Sequence, residues 1–229
     1  MKVGIMQPYL FPYLGYYQLI KAVDTFVIYD DVNYIKQGWI NRNRILLKGE
    51  AFMLTMSLRG CSSFKKINEI ELVGNNHKLI KTIEQAYCKA PYFKDVFPLI
   101  ANILLDKEPN LAIFLINSLQ AIVNHLNISV PILISSEIEK DASLKGAEKC
   151  IDICKKLKST KYINTVGGYK LYSKEMFAEN GLILNFIKPN PIVYMQFKNK
   201  FVPCLTIIDV MMFNSPTEIS MMLDNYELI

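Results

Sequence analysis

The sequence lacks several features that would identify a function directly. It has two histidines, and neither lies near a serine or cysteine in a recognisable nucleophile pattern. It contains neither an HExxH motif nor a pair of CxxC motifs, which argues against the common zinc sites. No run of about 20 apolar residues occurs, so we expect no transmembrane helix. No signal peptide is expected either, because Gln7 and Pro8 interrupt the apolar N-terminus.

Cysteine is present in an odd number and without disulfide-framework spacing. The five are Cys61, Cys88, Cys150, Cys154 and Cys204. We interpret them as reduced thiols of a cytoplasmic protein, since disulfides are rare in reducing compartments. Cys150 and Cys154 share one face of a predicted helix, where core packing is favoured over a metal site because no histidine lies nearby.

Composition indicates a folded globular protein with a mild excess of positive charge. Of the 229 residues, 51% are hydrophobic and 21% charged, and the net charge is +5. This charge favours anionic small molecules such as phosphates, but the basic residues form no concentrated run, so no nucleic-acid partner is expected. The length suits a single α/β domain over 1–229 with a possible helical subregion at 75–128; two lobes divided near 75 or 128 are the alternative.

Hydrophobic patterning predicts an α/β fold with a mostly parallel sheet, flanking helices and a nucleotide-binding-like layout. The opening reads strand 2–6, helix 13–23 and strand 25–29, a βαβ unit with a right-handed crossover. Further strands are predicted at 33–36, 44–47, 51–56, 67–72, 130–135, 161–164 and 182–187. Helices are predicted at 76–88, 91–105, 110–127, 146–157, 173–179, 205–213 and 216–224.

An aromatic loop follows the first predicted strand. The run QPYLFPYLGYY holds four tyrosines and two prolines. Ligands of open α/β sheets bind beyond the carboxyl ends of the strands, so this loop is predicted to line a binding site. The predicted binding residues here are Gln7, Pro8, Tyr9, Tyr13, Gly15 and Tyr16. The alternative is that some rings, Tyr13 and Tyr17 above all, only pack the helix onto the sheet.

The segment from Asp30 to Arg44, DDVNYIKQGWINRNR, is the richest in reactive and binding groups. Guanidinium and ammonium groups suit phosphate or carboxylate, aromatic rings suit stacking on a base or sugar, and asparagine suits sugar hydroxyls. A carboxylate here could take the proton from an attacking amine or hydroxyl. A hairpin whose charges face water is the alternative. The predicted catalytic residues are Asp30, Asp31 and Lys36, and the predicted substrate-binding residues are Tyr34, Trp39, Asn41, Arg42, Asn43 and Arg44, with Lys36 also a possible phosphate ligand.

A third candidate is a strand-to-helix loop that contains Gly167, Gly168 and Lys170. Backbone N–H groups in such a loop can hold phosphate, and the lysine could assist. The loop matches neither GxGxxG nor GxxxxGK[ST], so a plain turn is the alternative.

Several motifs together resemble the WbqC-like family. They are IMQPYLFPYLGYYQLI, FVIYDDVNYIKQGWINRNRI, EQAYCKAPYF, KGAEKCIDICKKL, the GGYKLY stretch and the late segment LTIIDVMMFNS. The resemblance covers nearly the whole chain and is most specific in the first 45 residues. It implies a bacterial protein associated with O-antigen or other surface-polysaccharide gene clusters, and it leaves the reaction open. At the glycine loop the family tends to read SGxGGK, whereas this chain has Asn164, Thr165 and Val166 before its glycines, which weakens a phosphate role there.

Three hypotheses follow from the residues and the resemblance. The first is a transferase of surface-polysaccharide synthesis that adds an acyl or aminoacyl substituent to a nucleotide-linked amino sugar, with other enzymes of that synthesis as partners. The second is an ATP-dependent ligase or nucleotidyltransferase-like enzyme, because the opening layout resembles nucleotidyltransferase-type folds. The third is a non-catalytic sugar-nucleotide-binding or scaffold protein. The cofactor is not identified, although Mg²⁺ is possible, and no protein metal site is predicted.

Overall fold

The computed structural model describes residues 1–198 and 200–229, and across them the chain forms ten strands and eight α-helices. The strands are β1 Lys2–Met6, β2 Thr25–Ile28, β3 Arg42–Leu47, β4 Glu50–Thr55, β5 Leu58–Arg59, β6 Glu71–Leu72, β7 Ile132–Ile134, β8 Lys161–Thr165, β9 Ile183–Pro189 and β10 Tyr226–Leu228. The helices are α1 Leu14–Ala22, α2 His77–Tyr87, α3 Phe93–Leu104, α4 Leu111–His125, α5 Gly146–Lys156, α6 Lys174–Glu179, α7 Ile207–Phe213 and α8 Pro216–Leu223.

The main sheet has six strands in the order β10-β9-β8-β1-β2-β7. Four neighbouring pairs are parallel, and β10 alone runs antiparallel, along β9. The predicted α/β class with a mostly parallel sheet is therefore confirmed. The hairpin β3–β4 and the short pair β5–β6 form two separate small sheets.

The strand order contains one reversal of direction. From β1 the chain builds outward through β2 and β7, and it then returns to the other side of β1 to add β8 and β9. The reversal lies between β1 and β8, whose carboxyl ends are Met6 and Thr165. Such a switch point opens a crevice at the carboxyl edge of the sheet, which is where ligands of open α/β folds bind.

Both faces of the sheet are covered, which explains why β1 and β2 read as apolar runs rather than as alternating patterns. Val3, Ile5 and Val27 belong to the hydrophobic cluster beneath α5 and α6. Phe26 and Ile28 belong to the larger cluster that packs against α1 and the helical segment α2–α4. Successive residues of a strand point to opposite faces, so each short strand contributes to both clusters.

Two predicted strands are wrong in part or in whole. The predicted strand at 33–36 is a loop in which Asn33 forms only an isolated bridge with Lys66. A turn at its end, closed by the Gly38 N–H to Ile35 carbonyl bond, prevents a continuous ladder. The predicted strand at 67–72 begins instead as a 3-10 turn, Ile67–Glu69, and only β6 pairs. Strand β10 was not predicted, because three residues are too short for a periodic signal.

Within the described ranges, no helix has the length and apolar character needed to cross a membrane.

Candidate functional site

The three segments that the sequence predicts as binding regions all follow carboxyl ends of parallel strands. Gln7 follows β1, Tyr29 begins the segment after β2, and Val166 follows β8. The structure therefore brings the three segments to one edge of the main sheet, as the strand predictions require.

A cavity of about 530 Å³ lies beyond the carboxyl ends of β2 and β7. We call it the lysine cavity, because Lys66, Lys140, Lys145 and Lys149 contribute to its lining. The lining also includes the carboxylates of Asp31 and Glu139, which leaves a net positive charge of two. A concave site with this balance of charge favours an anionic ligand.

Asp31 organises the cationic groups of this cavity. Its Oδ2 accepts a hydrogen bond from the Nζ of Lys149 at 2.8 Å and forms an ion pair with the Nζ of Lys140 at 3.1 Å, and its Oδ1 accepts a hydrogen bond from the Ser135 hydroxyl at 2.6 Å. Burial alone would raise the pKa of Asp31, but the hydrogen bonds from Lys149, Ser135 and Lys140 hold it below the ordinary value. Asp31 is consequently ionised and fixes two ammonium groups in place.

The two ammonium groups are nearly removed from water. The side chains of Lys140 and Lys149 are 6% and 8% exposed. Lys140 also donates to the carbonyls of Ser135 and Ile138, so its ammonium group is held by two carbonyls and the Asp31 carboxylate. Lys149 donates to the Asp31 carbonyl at 3.1 Å, so among the described residues one of its three donors has no acceptor. Lys149 can therefore donate one further hydrogen bond to an anion.

Helix α5 begins at the lining of the lysine cavity and has no side-chain cap. Its N-cap residue, Lys145, makes no capping hydrogen bond, and Gly146 adopts a left-handed conformation with φ of +54°. The first backbone N–H groups of such a helix lack acceptors and carry partial positive charge. These donors add to the preference of the cavity for a negatively charged group.

Tyr29 supplies a further unsatisfied donor. It lines the cavity, is 8% exposed, and its hydroxyl has no hydrogen-bond partner among the described residues. The ammonium group of Lys149 lies 5.2 Å from the centre of its ring. Burial, the neighbouring Cys150 thiol and Asp31 raise the pKa of Tyr29, so the hydroxyl stays protonated and remains a donor. An orphaned buried donor of this kind calls for a ligand group or water.

Asp30 has a different environment from its neighbour. It is 3% exposed, its Oδ1 accepts from the Ser136 N–H at 2.9 Å, and its Oδ2 accepts from the Asn68 amide at 3.1 Å. These bonds tie the end of β2 to the residues that follow β7 and to the 3-10 turn Ile67–Glu69. The catalytic roles of Asp30 and Asp31 stay predictions, although their contacts suit positioning better than proton transfer. Lys36 is exposed and is not among the lining residues of the lysine cavity.

A second group of predicted residues meets near the switch point. The Arg44 guanidinium lies 5.3 Å from the centre of the Trp39 ring and donates to the Cys204 carbonyl at 3.3 Å. Burial and the neighbouring Cys204 raise the pKa of Tyr13, and a hydrogen bond with Thr165 partly offsets them. We call Tyr13, Trp39, Arg44, Thr165 and Cys204 the aromatic shelf. Trp39 and Tyr13 are 41% and 37% exposed, so both rings can stack on a ligand.

The Nε atom of Arg44 is buried and has no partner among the described residues. A guanidinium donor without an acceptor is costly in a folded protein, and an anionic or carbonyl group would satisfy it. The unpartnered Nε favours a binding role for Arg44, and that role stays a prediction.

Four other predicted binding residues of this segment form hydrogen bonds within the protein. Asn41 accepts from the Tyr34 hydroxyl at 2.8 Å and donates to the Met56 carbonyl at 2.8 Å. Asn43 donates to the carbonyls of Leu10 at 3.0 Å and Phe11 at 2.9 Å. Arg42 donates to the Gly38 carbonyl at 2.9 Å and to the Gln37 carbonyl. Tyr34, Asn41, Arg42 and Asn43 thus fix the loop that presents Trp39.

In the aromatic loop after β1, some residues are buried and others are partly exposed. Tyr16 is fully buried and its hydroxyl donates to the Gln7 carbonyl at 2.9 Å, and Pro8 is buried as well. Tyr9 is half-buried, with its ring centre 5.7 Å from that of Tyr16, and burial raises its pKa to about 12. A Cβ at Gly15 would lie 2.6 Å from the Tyr13 ring, so glycine permits this approach.

The glycine loop after β8 forms a 3-10 turn, Val166–Gly168. Gly168 is buried, and a Cβ there would lie 2.9 Å from the Asn164 amide nitrogen. Gly167 and Lys170 are exposed. Ser173 caps helix α6 by accepting from the Met176 N–H at 3.2 Å, so one of the first N–H groups of that helix is already paired. The phosphate-binding role of this loop stays a prediction.

Sequence reasoning missed Lys140, Lys149, Ser135 and Tyr29. A signal for Lys149 existed, because it lies four residues before Ile153, on the apolar face of a predicted helix. A lysine at a core position needs a buried partner, and its partner is Asp31. Ser135 and Lys140 carry no comparable signal, because they lie in a 3-10 turn and a loop.

Among residues 1–198 and 200–229, no group of three or more His, Cys, Asp or Glu side chains is placed to hold a metal ion. The possibility of Mg²⁺ stays untested, since Mg²⁺ is commonly bound through one or two carboxylates and the phosphates of a substrate.

Comparison with known proteins gives a family for this chain. Residues 7–221 match the WbqC-like protein family. The chain is also 29% identical over 222 residues to the uncharacterized protein Rv1507c of Mycobacterium tuberculosis, with 95% of each chain covered. No solved structure matches it. The match spans the lysine cavity, the aromatic shelf and the glycine loop, and the chain belongs to the WbqC-like protein family.

Proposed function

We propose that this protein is a transferase of surface-polysaccharide synthesis that binds a nucleotide-linked amino sugar and adds an acyl or aminoacyl substituent to it. The observation that carries the proposal is the convergence of Lys140 and Lys149 on Asp31, in a cavity lined also by the uncapped start of α5. These groups would hold the phosphates of the nucleotide.

The size and charge of the lysine cavity support this ligand class. Its volume of about 530 Å³ falls within the range of roughly 300–1,000 Å³ that small-molecule sites occupy. Phosphate oxygens would accept from the free donor of Lys149, the Tyr29 hydroxyl and the first N–H groups of α5. Lys66 and Lys145 add two further cationic groups to the lining.

The aromatic shelf supports recognition of a base or sugar ring. Trp39 presents an exposed indole next to the Arg44 guanidinium, and Tyr13 presents a phenol beside Thr165. Stacking on such rings together with one guanidinium donor is a common way to hold a planar base or a sugar face. The shelf and the lysine cavity lie at the same edge of the main sheet.

In the proposed reaction, the amine nitrogen of the sugar forms a bond to the acyl carbonyl carbon. The bond between that carbon and its carrier breaks, the carrier leaves with the bonding electrons, and the departing carrier takes up the proton that the amine loses. Asp31 is a poor acceptor for that proton, because two ammonium groups and a hydroxyl already hydrogen-bond to it. We therefore assign Asp31 to the positioning of Lys140 and Lys149.

The test is a thermal-shift and calorimetry panel of UDP-, dTDP- and GDP-sugars, CoA and ATP, each with and without Mg²⁺. A ligand at about 100 times its Kd adds roughly 2.7 kcal/mol to the free energy of unfolding. We expect a sugar nucleotide to raise the Tm, and Lys149→Met to remove most of that rise. Lys156→Met is the matched control, because Lys156 is an exposed residue of the same helix outside the cavity lining.

Three outcomes would redirect the proposal. Equal sugar-nucleotide binding by Lys149→Met would place the phosphates elsewhere and contradict the assignment of the cavity. A shift with ATP and Mg²⁺ alone would favour a ligase. Tight binding of a sugar nucleotide without turnover of any thioester or aminoacyl donor would favour a binding or scaffold protein.

A further inference from the structure

A second and larger cavity, of about 1,090 Å³, lies between the β3–β4 turn, the end of α2, the segment around Phe197 and the end of α7. We call it the apolar cavity. It shares no lining residue with the lysine cavity, and none of the residues proposed above to bind the sugar nucleotide lines it. It is therefore a separate feature of the fold.

The lining of the apolar cavity is rich in hydrophobic side chains. Leu47, Ala86, Pro91, Met195, Phe197 and Phe213 contribute to it. The rings of Phe197 and Phe213 meet edge-on, with centres 4.7 Å apart at 90°. Met195 is 81% exposed beside them. Apolar surface left open in a concave site of this size is typical of a place where a ligand covers it.

Two residues of this lining have a left-handed backbone conformation that residues other than glycine rarely adopt. Phe197 has φ of +52° and Lys48 has φ of +54°, both in the left-handed region. For a bulky residue such as phenylalanine this conformation is an outlier that the surroundings must hold in place. Its effect is to place the Phe197 ring against Phe213, where both line the cavity.

The charged residues of the apolar cavity are all positive. Lys48, Lys89 and Lys198 belong to its lining, and no aspartate or glutamate does. All three lysines are exposed, and none forms an ion pair with a carboxylate among residues 1–198 and 200–229. Their ammonium groups thus remain hydrated and available to a negatively charged group beside the hydrophobic surface.

We propose that the apolar cavity binds a single-chain amphiphile, with an acyl or alkyl chain on the aromatic surface and a phosphate or carboxylate head group among the three lysines. The complementarity is twofold, because hydrophobic residues and a single sign of charge line one concave site. The expected occupant is one free molecule rather than a bilayer, since a concave site contacts more of a single chain than a flat surface would. The inference does not depend on the proposed sugar-nucleotide function.

Cys88 gives a direct probe of occupancy, because it lines the cavity and its thiol is exposed. The alkylation rates of individual cysteines with iodoacetamide are measured by peptide mass spectrometry, with increasing dodecyl phosphate below its micelle concentration. We expect Cys88 to be protected by dodecyl phosphate but not by inorganic phosphate, and only weakly by dodecyltrimethylammonium. Cys61 is exposed outside the cavity and should react at an unchanged rate, while buried Cys150 should stay unreactive if the protein remains folded.

Chain length and charge are then varied in calorimetric titrations. The Kd should fall about fourfold for each added buried methylene from octyl to dodecyl phosphate, which corresponds to about 0.8 kcal/mol per methylene. The double variant Lys89→Glu, Lys198→Glu should weaken dodecyl phosphate binding at least tenfold. Lys81→Glu is the control, because Lys81 is an exposed lysine of α2 outside the cavity lining. Variants are compared by calorimetry because a charge change at Lys89 would itself alter the reactivity of Cys88.

The proposal is overturned if protection of Cys88 is the same for the cationic amphiphile, or if the double variant binds as well as Lys81→Glu. Protection by vesicles of anionic phospholipid without any protection by monomeric dodecyl phosphate would also overturn it, and would instead indicate contact with a membrane surface. An Ala86→Trp variant, which places an indole ring in the path of the bound chain, should weaken binding of dodecyl phosphate while leaving the Cys61 rate unchanged.

Discussion

Lys149 donates a hydrogen bond of 2.8 Å to Oδ2 of Asp31, although 118 positions separate the two residues. This bond joins helix α5 to the segment after β2, and Lys140 reaches the same oxygen at 3.1 Å. Two like charges on one carboxylate oxygen repel each other, so the arrangement is stable only because Asp31 stays ionised. It concentrates positive charge where the sheet leaves an open edge.

The first prediction concerns the removal of that carboxylate. Asp31→Asn leaves two nearly buried ammonium groups without a counter-charge, and we expect the free energy of unfolding to fall by about 3 kcal/mol. Urea denaturation measures the change. Adding Lys149→Met should recover part of the loss, because one of the stranded charges is then absent. A loss below about 1 kcal/mol would mean that water reaches the ammonium groups and that the pair is effectively a surface contact.

The contribution of Asp31 to the free energy of unfolding depends on pH, and the sign of that dependence follows from its pKa. The folded pKa of Asp31 is lowered, so its contribution to stability is fully present above the ordinary value of about 4 and is lost as the pH falls through the lowered value. Wild-type stability should therefore fall on acidification below about pH 4 more steeply than that of Asp31→Asn. Parallel profiles for the two proteins would contradict the lowered pKa.

A third prediction compares Tyr29, whose hydroxyl has no hydrogen-bond partner within the described ranges, with Tyr87, whose hydroxyl is hydrogen-bonded. Tyr29 has no hydrogen-bond partner among the described residues, whereas the Tyr87 hydroxyl donates to Asp209 at 2.9 Å and accepts from the Leu46 N–H at 2.9 Å. Without ligand, Tyr29→Phe should leave the unfolding free energy unchanged or slightly higher, while Tyr87→Phe should lower it by about 2 kcal/mol.

The same pair of variants tests the lysine cavity. Tyr29→Phe should weaken sugar-nucleotide binding severalfold, and Tyr87→Phe should not, because Tyr87 is not part of that lining. If Tyr29→Phe destabilises the free protein as much as Tyr87→Phe does, its hydroxyl has a structural partner and is not reserved for a ligand.

Asp209 should give a pH profile opposite to that of Asp31. It is fully buried, and burial raises its pKa, although hydrogen bonds from Tyr194, Gln196 and Tyr87 partly offset the effect. The folded protein therefore binds more protons than the unfolded chain between the ordinary value of about 4 and the raised value, and stability falls as the pH rises through that window. Asp209→Asn should remove this slope. A wild-type profile as flat as that of the variant would contradict the raised pKa.

A fifth prediction compares two glycines. A Cβ at Gly15 would lie 2.6 Å from Tyr13 and 2.9 Å from Pro189, whereas one at Gly74 would meet nothing within 4 Å. Gly15→Ala should destabilise the protein by about 1–3 kcal/mol and displace the Tyr13 ring of the aromatic shelf. Gly74→Ala should be neutral or slightly stabilising, because it only restricts the unfolded chain. Thermal unfolding of the two variants decides the point, and equal Tm values would count against the close packing at Gly15.

The sequence predicted the fold better than the site, for a physical reason. Apolar runs and helix periodicity are local signals, so β1, α1 and β2 were located to within about one residue of their ends. The role of an amide is not local. Asn43 was predicted to bind a sugar, yet it donates to the Leu10 carbonyl 33 positions earlier, and nothing near Asn43 in the sequence reveals that partner.

The same limit explains the residues that were missed. Asp31 lies in a segment dense in polar residues, which favours a site there, while its partner Lys149 lies in a helix whose pattern indicates only a surface helix of the fold. Trp39, Arg44 and Tyr13 could be predicted as a group, because the carboxyl ends of parallel strands must share one edge. The orphaned Nε of Arg44 and hydroxyl of Tyr29 become visible only when every neighbour is known.

The position of β1 in the middle of the sheet also has a consequence for biosynthesis. Lys2, Val3 and Gly4 pair on one side with residues of β8, beginning with Lys161, so that flank of the first strand has no partner while most of the chain is being translated. Pairing across such long separations is slow, and an open strand edge can associate with other chains. The nascent protein should consequently depend on protection of its N-terminal strand until the ribosome has released β8.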